Sequence, residues 1–236
     1  MEIIKGIEIV DLALWLKKEK ALVIADLHVG FEEALNNQGV LVPRIAFSDL
    51  IKKLEKILER TKPKIVVIDG DLKHEFGSIS EQEWRDSLKV IDLISKYGKI
   101  VLVRGNHDTI SGPIAKKRSV EFVDKFEVGD CCITHGDKII ETKKKIVIIG
   151  HEHPAVGLQR GLRKEVVKCF LKGRWKRKDL IVMPSLNQVT EGTDVLSHKI
   201  FSPFLKEDLS DFNVFVVADK VYDFGMLRNL NKISGT

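Results

Sequence analysis

Short apolar runs of strand length recur along this chain, and several of them stop abruptly at Asp, His, Asn or Gly. Such runs, bounded by polar or turn-forming residues, predict buried strands. The predicted strands cover residues 21–25, 65–68, 100–103, 131–134, 146–149, 180–183 and 214–217. A chain with this pattern has to bury its strands on both faces, which favours an α/β fold.

Helical spacing between the first strands supports this interpretation. Apolar residues recur every three to four positions over 45–59, and again after Ser80, where Glu83 completes a capping-box pattern. The first half therefore predicts a βαβαβ arrangement with a parallel sheet. Beyond Asp108 the helical periodicity fades, and the pattern favours hairpins and a second, more antiparallel sheet.

The bulk composition narrows the class of protein. With 236 residues, of which 44% are hydrophobic, the chain predicts a single domain, residues 1–236, with one sizeable core. No apolar run approaches the roughly 18 residues of a membrane span. The N-terminus carries early acidic residues and does not resemble a secretory signal, so a cytoplasmic location without membrane contact is expected. The three cysteines are expected to be reduced thiols in the core.

The polar clusters that follow the strands carry residue types that bind metals. Six of the seven histidines lie in these clusters, and the seventh is His198. The clusters contain Asp26 and His28; Gly70, Asp71 and His74; Gly105, Asn106, His107 and Asp108; His135; and Gly150, His151 and His153. Carboxylate, imidazole and amide donors without cysteine suit a catalytic Mn, Fe or Zn site better than a structural zinc site.

Each cluster alone has a structural explanation, because an Asp after a strand can cap a turn and a lone His can be a core residue. The conjunction is what favours a metal site. The glycines before the ligands are expected to let the strand turn without crowding a bound phosphate, although a packing role is an equal alternative.

The order Asp-x-His, Gly-Asp, Gly-Asn-His-Asp, His, Gly-His-x-His resembles that of the calcineurin-like metallophosphoesterases. This resemblance implies a four-layer α/β/β/α sandwich with two facing mixed β-sheets. Residues 70–76, 150–154 and 192–195 are similar to a narrower branch, the helicase- or ligase-associated phosphoesterases of archaea and bacteria. Residues 188–191, Gln-Val-Thr-Glu, depart from the Asn-Pro-Leu-Thr-Gly pattern of that branch, which leaves the role of this loop open.

Carried over to this chain, the resemblance implies two divalent cations, with manganese expected first and zinc, iron or nickel as alternatives. One cation would be held by Asp26, His28, Asp71 and His153. The other would be held by Asp71, Asn106, His135 and His151. A carboxylate shared by two cations keeps them about 3.5–4 Å apart, and a water between them loses a proton near neutral pH to become the nucleophile.

Two further histidines, His107 and His74, are not predicted to bind a metal. His107 would stabilise charge on the phosphoryl group or protonate the leaving oxygen, with Asp108 orienting it. His74 lies in a Gly-Asp-Leu-x-His sequence similar to that of double-strand-break repair nucleases of the superfamily. A substrate-facing role and a loop-structuring role are both open for His74.

A basic stretch, residues 160–178, is a candidate nucleic-acid surface. Arg174, Lys176 and Arg177 would meet phosphates, and Trp175 would stack on a base. The alternative is a solvated hairpin with its Trp folded back on the core. A net charge of +5 permits an anionic partner without requiring one.

The favoured function is hydrolysis of a phosphoester, first of all a phosphodiester, with repair-associated nucleic acid as a candidate substrate. A nucleotide or dinucleotide pyrophosphohydrolase is the alternative enzyme. A non-catalytic protein-binding scaffold is disfavoured because no ligand position is eroded. The branch resemblance also predicts a helicase or ligase partner.

Overall fold

The computed structural model describes residues 1–42, 45–75, 80–108, 112–160, 163–196 and 200–230. Two sequence features, Phe76 of the Gly70 motif and His198, lie outside these residues. In the described chain no helix combines the length and apolar character needed to cross a membrane.

Among the described residues, the first sheet has seven strands in sequence order, antiparallel from β1 to β4 and parallel from β4 to β7. Its strands are β1 Glu2–Ile4, β2 Ile7–Val10, β3 Ala13–Leu16, β4 Ala21–Ala25, β5 Ile65–Asp69, β6 Lys99–Val103 and β7 Glu121–Val123. The predicted parallel β4, β5 and β6 are confirmed. Strands β1, β2 and β3 were not predicted, because each has only three or four residues.

Helices α1 Phe31–Asn37, α2 Ile45–Thr61, α3 Glu81–Ser95 and α4 Gly112–Lys117 accompany this sheet. The predicted helix at 45–59 is confirmed as α2. Ser80 caps α3 by accepting a hydrogen bond from the backbone N–H of Glu83 at 3.0 Å. The Glu83 carboxylate does not complete a capping box, and accepts instead from the backbone N–H groups of His74 and Glu75 at 2.8 and 3.0 Å. The first turn of α3 is thereby tied to the loop after β5.

The second sheet has nine strands in the described chain and is also mixed, with β9, β10 and β13 parallel and the hairpins antiparallel. Its strands are β8 Phe126–Val128, β9 Cys131–Ile133, β10 Ile146–Ile149, β11 Pro154–Arg160, β12 Arg163–Trp175, β13 Lys178–Val182, β14 Thr193–Asp194, β15 Asn213–Val217 and β16 Val221–Met226. The short helix α5 Leu227–Leu230 follows. The predicted second sheet rich in hairpins is confirmed.

Three apolar layers hold the fold together. One joins α2 and α3 to the outer face of the first sheet, through residues such as Leu54, Ile91 and Ile68. The middle layer lies between the two sheets, where Val67 and Phe170 are fully buried. The third covers the second sheet with α5, a 3₁₀ turn at Pro203–Leu205 and irregular segments. The α/β/β/α order is therefore observed, with a fourth layer made of short elements.

The three cysteines are free and buried, as the sequence predicts. Burial raises the pKa of the Cys131 thiol to about 12, so this thiol stays protonated.

Candidate metal centre

The predicted ligands converge where the carboxyl ends of strands from both sheets meet. Asp26 follows β4, Asp71 follows β5 by two residues, and Asn106 follows β6 in the first sheet. From the second sheet, His135 follows β9 by two residues, and His151 follows β10. Parallel strands present their ends at one edge, so five loops that are distant in sequence deliver side chains to one place.

Five of the predicted ligands have backbone conformations that residues other than glycine rarely adopt. Their φ values are 53° for Asp26, 43° for His28, 45° for Asp71, 64° for His151 and 47° for His153. Strain of this kind persists only where the surroundings enforce it, and it concentrates at functional sites.

The first predicted ligand group forms a continuous cluster. Nε2 of His28 lies 3.3 Å from Nε2 of His153 and 3.8 Å from Oδ2 of Asp71. Nε2 of His153 lies 3.4 Å from Oδ1 of Asp26. Four side chains thus direct donor atoms towards a common point.

The second group surrounds His135. Its Nε2 lies 2.9 Å from Oδ1 of Asn106, 3.2 Å from Nδ1 of His151 and 3.4 Å from Oδ2 of Asp71. Oδ2 of Asp71 therefore faces both groups, as a bridging carboxylate has to. The individual ligand roles remain predictions.

The three glycines of the motifs lie directly against the side chains of predicted ligands. A Cβ at Gly105 would lie 2.1 Å from Oδ1 of Asp71, and one at Gly150 would lie 2.5 Å from Oδ2 of Asp26. At Gly70, where φ is +73°, a Cβ would meet the ring of His135 at 2.1 Å. These positions exclude any larger side chain because neighbouring ligands occupy the space. Packing therefore requires glycine at all three positions, and at Gly70 the positive φ requires it for the turn as well.

The donor set fits divalent cations. Oδ1 of Asp26, Nδ1 of His28 and Nδ1 of His135 are buried without a hydrogen-bond partner. Three groups of side chains bring ligand atoms within 4.8 Å of one another: Asp26, His28 and His153; Asp26, Asp71 and His135; and His28, His74 and His107. Burial would raise the pKa of Asp26 and Asp71, but the neighbouring imidazoles lower it, so both are carboxylates at neutral pH. Nitrogen and carboxylate donors of this kind suit Mn, Fe or Zn.

The metal-free centre carries a proton that a metal has to displace. Burial alone would lower the pKa of His135, but the hydrogen bond and charge of Asp71 raise it to about 10. Burial lowers the pKa of His28 to about 3, so this ring is already neutral. Between pH 7 and 9 metal binding is expected to release about one proton from His135, and affinity should rise roughly tenfold per pH unit. Calorimetric Mn²⁺ titrations in two buffers of different ionisation enthalpy measure this release, and identical heats in both would contradict it.

His107 and His74 lie beside the cluster on its half-exposed side. Nδ1 of His107 donates to the backbone carbonyl of His74, and Nε2 lies 3.9 Å from Oδ2 of Asp71. The two rings stack with centroids 5.4 Å apart and 29° between their planes. His74 also packs on Phe31, with ring centroids 4.2 Å apart. The structure therefore brings His74 to the centre, next to the side chain expected to act on the substrate.

Asp108 acts on the loop that carries His107. Its carboxylate oxygens accept from the backbone N–H groups of Leu72 at 3.2 Å and Gly105 at 3.0 Å. The ring of His107 is held by the His74 carbonyl. Asp108 thus joins the loops after β5 and β6, and its predicted role in orienting His107 stays a prediction.

The hairpin at residues 174–178 of the basic stretch lies at the other end of the second sheet. Arg174 pairs with Asp179, which is level with Ile146 at the amino end of β10, whereas the ligands follow the carboxyl end. At about 3.3 Å per residue, roughly 13 Å of strand separates Arg174 from the level of Gly150. The structure therefore does not bring Arg174, Lys176 and Arg177 to the centre.

Trp175 is a core residue. Its side chain is only 7% exposed and packs on Phe204, with ring centroids 4.6 Å apart. The base-stacking role predicted for it is wrong, because the ring is committed to the apolar layer of the second sheet. Lys176 places its Nζ 4.6 Å from the ring centroid, and Arg174 binds Asp179 at 3.0 Å and the carbonyl of Arg177 at 3.1 Å. The alternative of a solvated hairpin with its Trp folded back is what the structure contains.

Several residues at the centre escaped the sequence analysis. Burial raises the pKa of Asp69, which lies directly before the Gly70 motif, well above its ordinary value. Ser185 and Asn187 contact the backbone of the Asp26 loop. Their position after β13, at the same edge as the ligands, is the signal that could have identified them.

The comparisons with known proteins agree with this architecture. The family model of the calcineurin-like phosphoesterases matches residues 19–184. The structure of the Pseudomonas putida nuclease MPE superposes with a TM-score of 0.66, at 20% identity, over 91% of this chain and 92% of that chain. YfcE, a phosphoesterase from E. coli, gives a TM-score of 0.43 at 11% identity, over 88% of this chain and 97% of that chain. No curated protein matches the sequence.

At 20% identity the likeness to the nuclease shows a shared fold. The family match shows more than the fold, because it spans more than half of the chain and contains all of the predicted ligands. The chain therefore belongs to the calcineurin-like phosphoesterase family, whose chemistry is the hydrolysis of phosphoesters with divalent metal ions.

Proposed function

We propose that this phosphoesterase cleaves phosphodiesters and uses two divalent cations, with manganese as the expected metal. Asp71 would bridge the cations, and the two ligand groups around His28 and His135 would complete their coordination. Cations held there polarise the phosphoryl oxygens and lower the pKa of a water to near neutrality. The burial of Asp26, Asp71 and His135, each at most 2% exposed, favours this role because it strengthens their interaction with a cation.

The observation that carries the preference for diesters is the stacked pair of His74 and His107. Burial lowers the pKa of His74 to about 4, so its ring is neutral at physiological pH. A neutral ring can donate a hydrogen bond to a phosphoryl oxygen but adds no positive charge. A diester, with one negative charge, needs less cationic compensation than a monoester dianion. The neutral ring of His74 therefore favours a diester.

The two ring nitrogens of His107 have different proposed roles. Because a carbonyl oxygen only accepts, Nδ1 has to carry the proton shared with His74. Nε2 is left on the side of Asp71, where the phosphoryl group would lie. A second proton on Nε2 makes the ring an imidazolium, which can stabilise charge on a phosphoryl oxygen or give this proton to the leaving oxygen.

Nucleic acid is the diester to test first. Residues 70–75 and 150–154 resemble the helicase- or ligase-associated branch, and MPE, which shares the fold, is a nuclease. A repair-associated role and a helicase or ligase partner are proposals that rest on this resemblance. A nucleotide or dinucleotide pyrophosphate remains the alternative substrate, since the same centre would serve it.

One experiment tests the proposal. Metal-free protein is reloaded with Mn, Zn, Fe, Ni or Mg and assayed on bis-p-nitrophenyl phosphate, p-nitrophenyl phosphate, dinucleoside polyphosphates, and single- and double-stranded DNA and RNA. We expect two bound metals per chain, highest activity with manganese, and turnover of the diester above that of the monoester. Activity confined to the monoester, or to the polyphosphates, would contradict it.

The position of the basic hairpin leads to a separate prediction. Replacing Arg174, Lys176 and Arg177 by Ala should leave nucleic-acid cleavage and its salt dependence as in the parent, because these residues lie at the opposite end of the sheet. Trp175→Ala should lower the free energy of unfolding by about 3–5 kcal/mol, as expected for a buried Trp. Salt titrations of cleavage and denaturant unfolding measure the two effects. A flatter salt dependence in the triple variant would restore the hairpin as a substrate surface.

A further inference from the structure

One distant segment, residues 185–187, binds the backbone of the loop that carries Asp26 and His28. Four consecutive carbonyl groups of this ligand loop, residues 25–28, accept hydrogen bonds from it. The bonds run from Leu186 N–H to Ala25 O at 2.9 Å, from Ser185 Oγ to Asp26 O at 2.7 Å, and from Asn187 Nδ2 to Leu27 O at 2.9 Å and His28 O at 3.2 Å.

These bonds supply donors to backbone carbonyl groups of the ligand loop that have lost their strand partners. Asp26 and His28 have left-handed backbone conformations, so the loop has left the regular pairing of β4. Buried carbonyl groups that lose their strand partners require other donors. Ser185 and Asn187 supply them from a buried position, at 0% and 5% exposure. The 185–187 segment therefore substitutes for a neighbouring strand along the ligand loop.

Lys168 in turn holds the 185–187 segment. From β12 its Nζ donates to the backbone carbonyl of Ser185 at 2.9 Å and to that of Asn187. Burial lowers the pKa of this amine to about 7. Both bonds persist on either side of that pKa, because a neutral amine still carries two N–H groups. Asn187 extends the arrangement, since its Oδ1 accepts from the backbone N–H of Val189 at 2.7 Å and of Thr190 at 3.2 Å.

We infer that Lys168 is a positioning residue for the metal centre, acting through the 185–187 segment on the backbone of Asp26 and His28. The inference rests on the proposed role of those two side chains as ligands. The departure from the branch pattern at residues 188–191 begins directly after Asn187, so the contacts to the ligand loop lie before it.

The test compares Lys168→Met with Lys172→Met, a matched change on the same strand at a lysine outside the centre. In metal-free protein, amide hydrogen exchange over residues 25–29 should be faster in Lys168→Met and unchanged in Lys172→Met. Calorimetric titration with Mn²⁺ should give an affinity about 10–100-fold weaker for Lys168→Met, the usual effect of removing a residue that supports a ligand.

Parental exchange and parental affinity in Lys168→Met would overturn the inference. If that variant does not fold, Lys168→Gln and Ser185→Ala take its place, with faster exchange at residues 25–29 expected in both and parental exchange overturning it. A parent that binds no Mn²⁺ would refute the ligand proposal instead. The exchange measurement in metal-free protein still decides the positioning role in that case.

Discussion

Replacing Asp71 by Asn is expected to reduce metal content and turnover together. Oδ2 of Asp71 faces both His28 at 3.8 Å and His135 at 3.4 Å, so one substitution removes negative charge from both ligand groups. The affinity loss should exceed the 10–100-fold that follows removal of a supporting residue, because a ligand itself is lost. Metal analysis of the purified variant, together with its rate on a chromogenic diester, measures both quantities.

Asp137→Asn is the control for this prediction. Asp137 lies two residues after His135, is half-buried and has no proposed ligand role. This variant should retain parental metal content and most of the activity. Equal metal content in Asp71→Asn and the parent would refute the bridging assignment, whatever the effect on turnover.

Replacing His107 by Gln is expected to cut turnover by a factor on the order of 10²–10⁴ and to leave metal content near the parental value. Nδ1 of His107 donates to the His74 carbonyl, and Nε2 lies 3.9 Å from Oδ2 of Asp71, on the side proposed for the phosphoryl group. The side chain can therefore hold a proton for the substrate without holding a metal. Steady-state kinetics and metal analysis on one preparation separate the two properties.

Diesters with different leaving groups provide a second test of the His107→Gln variant. If His107 protonates the leaving oxygen, a diester with a good leaving group, such as p-nitrophenol, should lose less activity than one with an alkoxide leaving group. Loss of metal from His107→Gln would make this residue a ligand. An equal loss of rate for both leaving groups would limit His107 to charge stabilisation.

The sequence predicted the part of the molecule that depends on local pattern. Apolar runs marked the strands, and polar residues at their carboxyl ends marked the centre, because parallel strands deliver their ends to one edge. The strands that precede β4 were missed, since each is too short to show a period. The end of the sheet at which Trp175 lies depends on how β12 and β13 pair, which local composition does not encode. The contact of Lys168 with Ser185 and Asn187 likewise needs the tertiary fold.

The left-handed backbone conformations of five predicted ligands also bear on how this chain could be redesigned. A sequence chosen for this backbone by conformational ease alone would carry glycine at Asp26, His28, Asp71, His151 and His153. The chain keeps Asp and His, which enter this region more readily than β-branched residues, at a strain of about 1 kcal/mol or more each. Substitutions selected for stability alone would therefore replace the predicted ligands by glycine and remove the metal centre. A stabilised variant of this scaffold has to exempt these positions to remain an enzyme.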